Sequence, residues 1–215
     1  MPRQVDHEGR RRRIAEAICL IADERGLEGV TLRDVAAVAQ VSMGAVQRCF
    51  RSKDEMLLFA VGHIGERITE RVRARPGSGP DRSPATALGH AATEVALLRE
   101  EHRAEARVWL AFVAQAAVSE PLAETLRVSY AALQDLFARL ITEATEATAA
   151  TEATEGAAAP PEPRREARAL LALADGLTSH VLIGHLTPEE ADEILRTHLA
   201  GLWERLGATT RPGTA

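Results

Sequence analysis

Apolar residues recur at three- and four-residue spacing along most of the chain and rarely alternate, so the pattern predicts helices throughout. Ile14, Ala17, Ile18, Ile21 and Ala22 form the first stripe. They predict a helix from about His7 to Arg25, stopped by Gly26, with residues 1–6 loose. Leu32, Val35, Ala36 and Ala39 form a second, short stripe, opened by Thr31 as cap with Asp34 three residues on. Gln40-Val41 interrupts it. Ser42 caps again, and Val46 and Phe50 give a third short helix its buried edge, leaving Met43, Gly44, Ala45, Gln47 and Arg48 exposed. Ser52-Lys53-Asp54-Glu55 opens a fourth helix to about Arg73, and the proline- and glycine-rich run from Arg75 to Asp81 is a break.

Beyond the break, Ser83-Pro84 starts a fifth helix that should end near Glu100. A sixth follows to about Val118, and Ser119-Glu120-Pro121 begins a seventh to about Glu146. Residues 142–163, TEATEATAATEATEGAAAPPEP, are low-complexity and read as a frayed helix end plus a mobile loop. The eighth helix is expected over about 164–186. Thr187-Pro188-Glu189-Glu190 then opens a ninth with cap, first-position proline and third-position glutamate. The expectation is an all-α fold of about nine helices, divided into residues 1–51 and 52–215. The last two helices carry more apolar residues than one face needs, which suggests a two-fold copy of the chain as partner. Leu170, Ala174, Leu177, Val181, Leu195, Leu199, Leu202 and Trp203 are the expected interface.

Composition sharpens this. Aromatics make up only 3% of 215 residues, and the formal charge is −5. The charge is uneven: residues 1–53 carry ten Lys and Arg against seven Asp and Glu, whereas the remainder is acidic. A basic head on an acidic body is the footprint expected when only the head meets phosphate. Arg10–Arg13 is a solvated first turn or a phosphate contact, with Arg11 and Arg12 unranked. Before Ile14–Ala22 it imitates a signal peptide, but Glu16 and Asp23-Glu24-Arg25 break that pattern. No stretch approaches the roughly 20 apolar residues of a membrane span. With Cys19 and Cys49 unpaired by any CxxC spacing, a cytoplasmic location is expected.

The exposed set on the third helix mixes small residues, which let backbone approach closely, with an amide and a guanidinium. Gln pairs bidentately with adenine and Arg with guanine in the major groove, and a second short helix entering by its N-terminal end suits that role. The segment VSMGAVQRCFRSKDEML resembles the corresponding stretch of TetR-family regulators, with Val41, Ser42, Gly44, Val46, Phe50, Lys53 and Leu57 matching. It departs at Gln47 and Cys49, near where the family commonly has tyrosine, so a tyrosine-to-phosphate bond is lost and Gln47 faces either phosphate or base. The stretch from Ala174 to Leu202 resembles, more loosely, the branch that includes the betaine-pathway repressor.

The resemblance implies a homodimeric repressor on a palindromic double-stranded DNA operator, released by a small-molecule effector. Met43, Gln47 and Arg48 would read bases beside Gly44, and Thr31, Arg33, Ser42 and Lys53 would hold phosphates. Lys53, the only lysine in the sequence, sits where the helix macrodipole favours a nearby anion. Rings cluster at Trp109, Phe112, Tyr130 and Phe137, either as ordinary core or, with Glu94, Glu105 and Arg107 supplying polar groups, as the lining of an effector cavity.

Enzyme motifs (GxGxxG, P-loop, GxSxG, HExxH) are absent from the sequence. His180 and His185, about 500° apart along a continuous helix, should not share a metal. His102 and Glu105 supply only two ligands. No metal, cofactor or enzymatic activity is therefore expected. Two rivals remain: a regulator of this fold that activates or answers to a protein, and a helical enzyme or small-molecule carrier whose basic head is incidental.

Overall fold

A computed structural model of the chain describes residues 2–73, 83–149 and 162–205. Among these residues the chain forms nine α-helices and no strand. They are α1 (Pro2–Arg25), α2 (Leu32–Val38), α3 (Met43–Cys49), α4 (Lys53–Arg73), α5 (Pro84–Val95), α6 (Arg103–Ala116), α7 (Glu120–Ala149), α8 (Pro163–Leu182) and α9 (Pro188–Arg205). Short 3-10 turns at Leu27–Gly29 and Glu100–His102 precede α2 and α6. The expected all-α architecture is the observed one.

Four boundaries differ from expectation, one of them the end of α8, which falls at Leu182 instead of about residue 186. Helix α1 begins at Pro2 instead of about His7. Helix α5 ends at Val95 instead of near Glu100, because Leu97 takes a left-handed φ of 49° that an α-helix cannot accommodate. Helix α7 runs on to Ala149, carrying the first third of the low-complexity stretch as helix. Residues 150–161 of that stretch, and the Arg75–Asp81 break, lie outside the described residues.

Packing divides the chain into two compact units, residues 1–68 with 100–129 and residues 69–99 with 130–215. The expected division at residue 51 is not where packing divides, because α1 packs on α6 as well as on α2 and α3. In the first unit the α1 stripe is buried as expected, and Val30, Val35, Val46, Phe50, Met56 and Phe112 fill the same core. Burying each such side chain stabilises by roughly 1.5–3 kcal/mol before entropy is counted. Asp23 of α1 accepts two bonds from Arg107 of α6, at 2.5 and 3.1 Å. Arg67 of α4 lies 3.6 Å from Glu105 of α6.

In the second unit α5, α8 and α9 pack mutually. The eight residues expected to meet a partner, Leu170, Ala174, Leu177, Val181, Leu195, Leu199, Leu202 and Trp203, are all at most 8% exposed within the single chain. They are therefore protomer core, and the surplus apolar surface is absorbed by α5, a third helix that the hairpin reading left out. Buried Thr178 donates its hydroxyl hydrogen to the carbonyls of Ala96 (2.6 Å) and Ala174 (2.8 Å), tying α8 to the end of α5. Thr187 and Glu190 form the reciprocal capping box expected of α9: each backbone N–H is accepted by the other's side chain, at 2.8 and 3.1 Å.

The histidine expectation is corrected here. Helix α8 stops at Leu182, and Gly184, at φ 73°, lets the His185 N–H fold back onto the His180 carbonyl at 2.9 Å. The two rings meet edge-to-face at 4.9 Å instead of pointing apart. Even so, no group of three or more candidate metal ligands exists among the described residues.

Candidate nucleic-acid interface

Each helix of the α2–α3 pair starts at a local bond legible in the sequence. The Asp34 N–H donates to Thr31 Oγ1 (3.2 Å), while the Thr31 hydroxyl donates to Asp34 Oδ2 (2.7 Å). Helix α2 then ends through Gln40, whose φ of 54° is left-handed. The Gln40 and Val41 N–H groups return to the Ala37 and Ala36 carbonyls, closing the tight turn. The Ala45 N–H donates to Ser42 Oγ (3.2 Å), which caps α3.

From this framework Met43, Gln47 and Arg48 project into solvent, and Thr31, Arg33 and Ser42 are exposed beside them. Gly44 is half-buried, and a Cβ placed there would lie 3.6 Å from Arg48 Nη1, so the Arg48 guanidinium lies back along α3 towards its N-terminal half. Ala45 was expected on this face and is instead buried at 7%. One turn before Cys49 and adjacent to Val46, it belongs to the inner stripe.

Lys53 is half-buried, and its ammonium donates to the Glu28 carbonyl at 3.2 Å, which leaves two of its three donors for other partners. Ser52 caps α4 by accepting the Glu55 N–H at 3.1 Å, and Glu55 returns to the Arg51 N–H at 2.7 Å.

Sequence reasoning missed one residue at this site. The guanidinium carbon of Arg11 sits 4.7 Å from the ring centre of Phe50 and 4.4 Å from that of Phe59, and the two rings are 5.4 Å apart. Contacts of this kind stabilise by about 0.5–1 kcal/mol when exposed and by about 2 when desolvated. Arg12 and Arg13 are exposed. The ring pairing is non-local, and the run of four arginines gave no sign of which one turns inward.

The six residues expected around an effector divide between the units. Glu105, Trp109 and Phe112 belong to the first, and Glu94, Tyr130 and Phe137 to the second. Trp109, Phe112, Phe137 and Glu94 are buried. Two of the six meet polar partners absent from the expectation: Arg71 (3.3 Å) and Arg99 (3.1 Å) flank Glu94, and the Tyr130 hydroxyl donates to Asp175. Arg107, offered as a third polar group, is engaged by Asp23. A solvent-open groove of about 620 Å3 in the second unit is lined by Asp135, Ala138, Arg139, Thr142, Glu143 and residues 162–164, and includes none of the six.

Neither cysteine is bonded. Burial pushes the Cys19 thiol up to about 12, against a smaller opposing pull from Arg67, so it is an inert thiol at neutral pH.

A capped helix pair presenting an amide and a guanidinium from the second helix, in an all-α chain, defines a helix-turn-helix DNA-binding protein. Comparison with known proteins gives the family. Residues 14–60 match the model of bacterial regulatory proteins of the tetR family, and residues 84–204 match that of the BetI-type transcriptional repressor C-terminal region. The chain belongs to the TetR family of transcriptional regulators.

Among its relatives, the regulator PksA of Bacillus subtilis is 31% identical over 85% of this chain and 83% of its own length. BetI 2 of Chromohalobacter salexigens is 30% identical over 89% and 84%. A transcriptional regulator from Rhodococcus sp. Rha1 superimposes with a TM-score of 0.74 at 30% identity, covering 94% of this chain and 99% of that one. A Saccharomonospora viridis regulator, crystallised with choline, shares the fold with a TM-score of 0.70 at 23% identity over 90% and 95% of the two chains. No described helix is long and apolar enough to cross a membrane.

Proposed function

We propose that this regulator reads a pseudo-palindromic operator as a homodimer, with one α3 from each protomer in successive major grooves about 34–36 Å apart. The observation that carries the reading is the exposed triplet Met43, Gln47 and Arg48 on a helix capped by Ser42. Met43, Gln47 and Arg48 contact base edges, Gly44 lets the backbone approach, and Thr31, Arg33, Ser42 and Lys53 contact phosphates. Repression fits the BetI-type match, and the acidic remainder of the chain is repelled from the duplex, which leaves the basic head to dock.

With the apolar residues of the hairpin committed to the protomer core, the second copy packs on the outward stripe of α8 and α9. That stripe carries Ala172, Gly176, Ile183, Ile194 and Thr197, all exposed. A small-molecule effector that prefers a state in which the two copies of α3 are out of register with successive grooves releases the DNA, and a coupling of ~1–3 kcal/mol lowers affinity about 5- to 150-fold. Choline, the ligand of the Saccharomonospora protein, is the first compound to try. Selection of duplexes from a random-sequence pool, followed by hydroxyl-radical footprinting, tests the reading. Two protected windows one helical turn apart are expected, and failure to enrich any sequence would refute it.

A further inference from the structure

We propose that Arg11 is a positioning residue for the reading helix: seated on the rings of Phe50 and Phe59, its guanidinium fixes the angle at which α3 presents Met43, Gln47 and Arg48. This rests on the reading of α3 as the base-contacting helix. Three elements meet at one cation. Arg11 lies one turn before Ile14 on α1, and Phe59 stands on the second turn of α4. Phe50 closes the last turn of α3, its N–H donating to the Val46 carbonyl at 2.9 Å. Phe50 is 1% exposed, so its ring is a fixed platform. The Arg11 Nε is buried and without a hydrogen-bond partner. Contact with the electron-rich ring faces therefore accounts for its seat.

The consequence follows from how helices read bases. A bidentate contact tolerates only about 0.5 Å and 10–20° of misplacement. Ser42 anchors the first turn of α3 and Val46 its middle, but the last turn is held through Phe50. Take the cation from between α1 and α4, and that end gains freedom to pivot. Contacts to phosphate, which need charge more than angle, would survive. Arg11 therefore serves discrimination, whereas the neighbouring exposed Arg12 and Arg13 are free to serve affinity.

The test uses the full chain as wild type, Arg11→Met, Arg11→Lys, Phe59→Leu and the Arg11→Met/Phe59→Leu double variant, each assayed well below its melting midpoint. The probes are the duplex that wild type enriches from a random-sequence pool and the same duplex with scrambled half-sites. Arg11→Met should lower the ratio of the two affinities about ten-fold while leaving the salt dependence on the scrambled duplex unchanged. Phe59→Leu should do the same, the double variant should be no worse than either single, and Arg11→Lys should keep most of the ratio. Hydrogen exchange at the Phe50 amide, measured without DNA, should accelerate in Arg11→Met and not in Arg11→Lys.

A salt slope reduced by about one with the ratio intact would make Arg11 a phosphate contact and overturn the proposal. Equal losses on both duplexes would overturn it too. If wild type enriches no duplex, the reading of α3 fails by itself. The Phe50 amide then still decides the clamp, and unchanged exchange sinks it.

Discussion

The ammonium of Lys53 donates to the carbonyl of Glu28 at 3.2 Å, so the single lysine of the chain ties the start of α4 to the 3-10 turn that leads into α2. A residue expected to serve phosphate alone thus has a structural bond as well. Lys53→Ala should weaken binding to every sequence and flatten the salt slope by about one. It should also lower stability by about 1 kcal/mol, the net worth of one such hydrogen bond. Lys53→Arg should keep the slope. Titrations at several salt concentrations, with thermal melts alongside, check both effects, and equal slopes for wild type and Lys53→Ala would remove Lys53 from the interface.

Arg48 lies along α3 above Gly44 and, among the described residues, makes no tie to another element that would confuse its loss with misfolding. Arg48→Ala should relax preference at one base position of the operator, at a cost of about 1–3 kcal/mol there, and leave the melting midpoint unchanged. Enrichment from a random pool by the variant reads this directly. An unaltered preference at every position would exclude Arg48 from base readout.

Gln40 holds a left-handed φ of 54° in the turn between α2 and α3, at the position where helix ends favour glycine. Its side chain is exposed, so nothing in the core depends on it. Gln40→Gly should relieve the strain and raise stability by up to about 1 kcal/mol. Urea unfolding would settle it; a lower midpoint would mean that the glutamine compensates for its backbone in some other way.

What the sequence announced and what it hid follow from range. Thr31, Ser42, Ser83 and Thr187 each cap a helix through a bond to a residue three positions on, so their roles were readable from neighbours alone. The seat of Arg11 and the pairing of Arg71 with Glu94 depend on elements far apart in the chain, which periodicity cannot bring together, and Arg99, though only five residues from Glu94, lies beyond the end of α5. An unbroken helix across Gly184 would point His180 and His185 apart, but the left-handed Gly184 ends the helix and brings the two rings together. Periodicity alone marks the leucines of α8 and α9 as apolar stripes, but it does not show that α5 packs on both helices within the protomer.

Gly176 offers a clean probe of the proposed dimer. It is exposed on α8, and an added Cβ would meet nothing within 4 Å inside the chain. Replacing glycine inside a helix should itself favour the helix by up to about 1 kcal/mol. Gly176→Arg should therefore leave each protomer intact while placing a long charged side chain where the second copy is to pack. Light scattering should report the mass of two chains for wild type and one for the variant, with circular dichroism unchanged. A variant that remains dimeric would move the interface to another face.

His63 on α4 has a buried Nε2 without a hydrogen-bond partner. Burial, and then the charge of Arg67, holds its pKa below the ordinary 6.5. Arg12 adds to the effect, and Glu16 and Glu66 oppose it. His198 on α9 is lowered in the same direction, by burial and by Arg205 against Glu166. A folded pKa below the unfolded one means that, at pH near and below 6.5, the unfolded chain binds more protons than the folded one. Stability must then fall as pH is lowered through that range. Above about pH 7.5 both states hold the imidazoles neutral, and these groups contribute no slope. Carboxylates such as Glu190, whose pKa is held below the ordinary 4.5 by bonds from Thr187, act at lower pH, so the interval from 7 to 5.5 isolates the histidines. The free energy of urea unfolding should decline across that interval in wild type, less steeply in His63→Gln, and least in the double variant with His198→Gln. Parallel curves for all three would show that neither imidazole is desolvated in the folded chain.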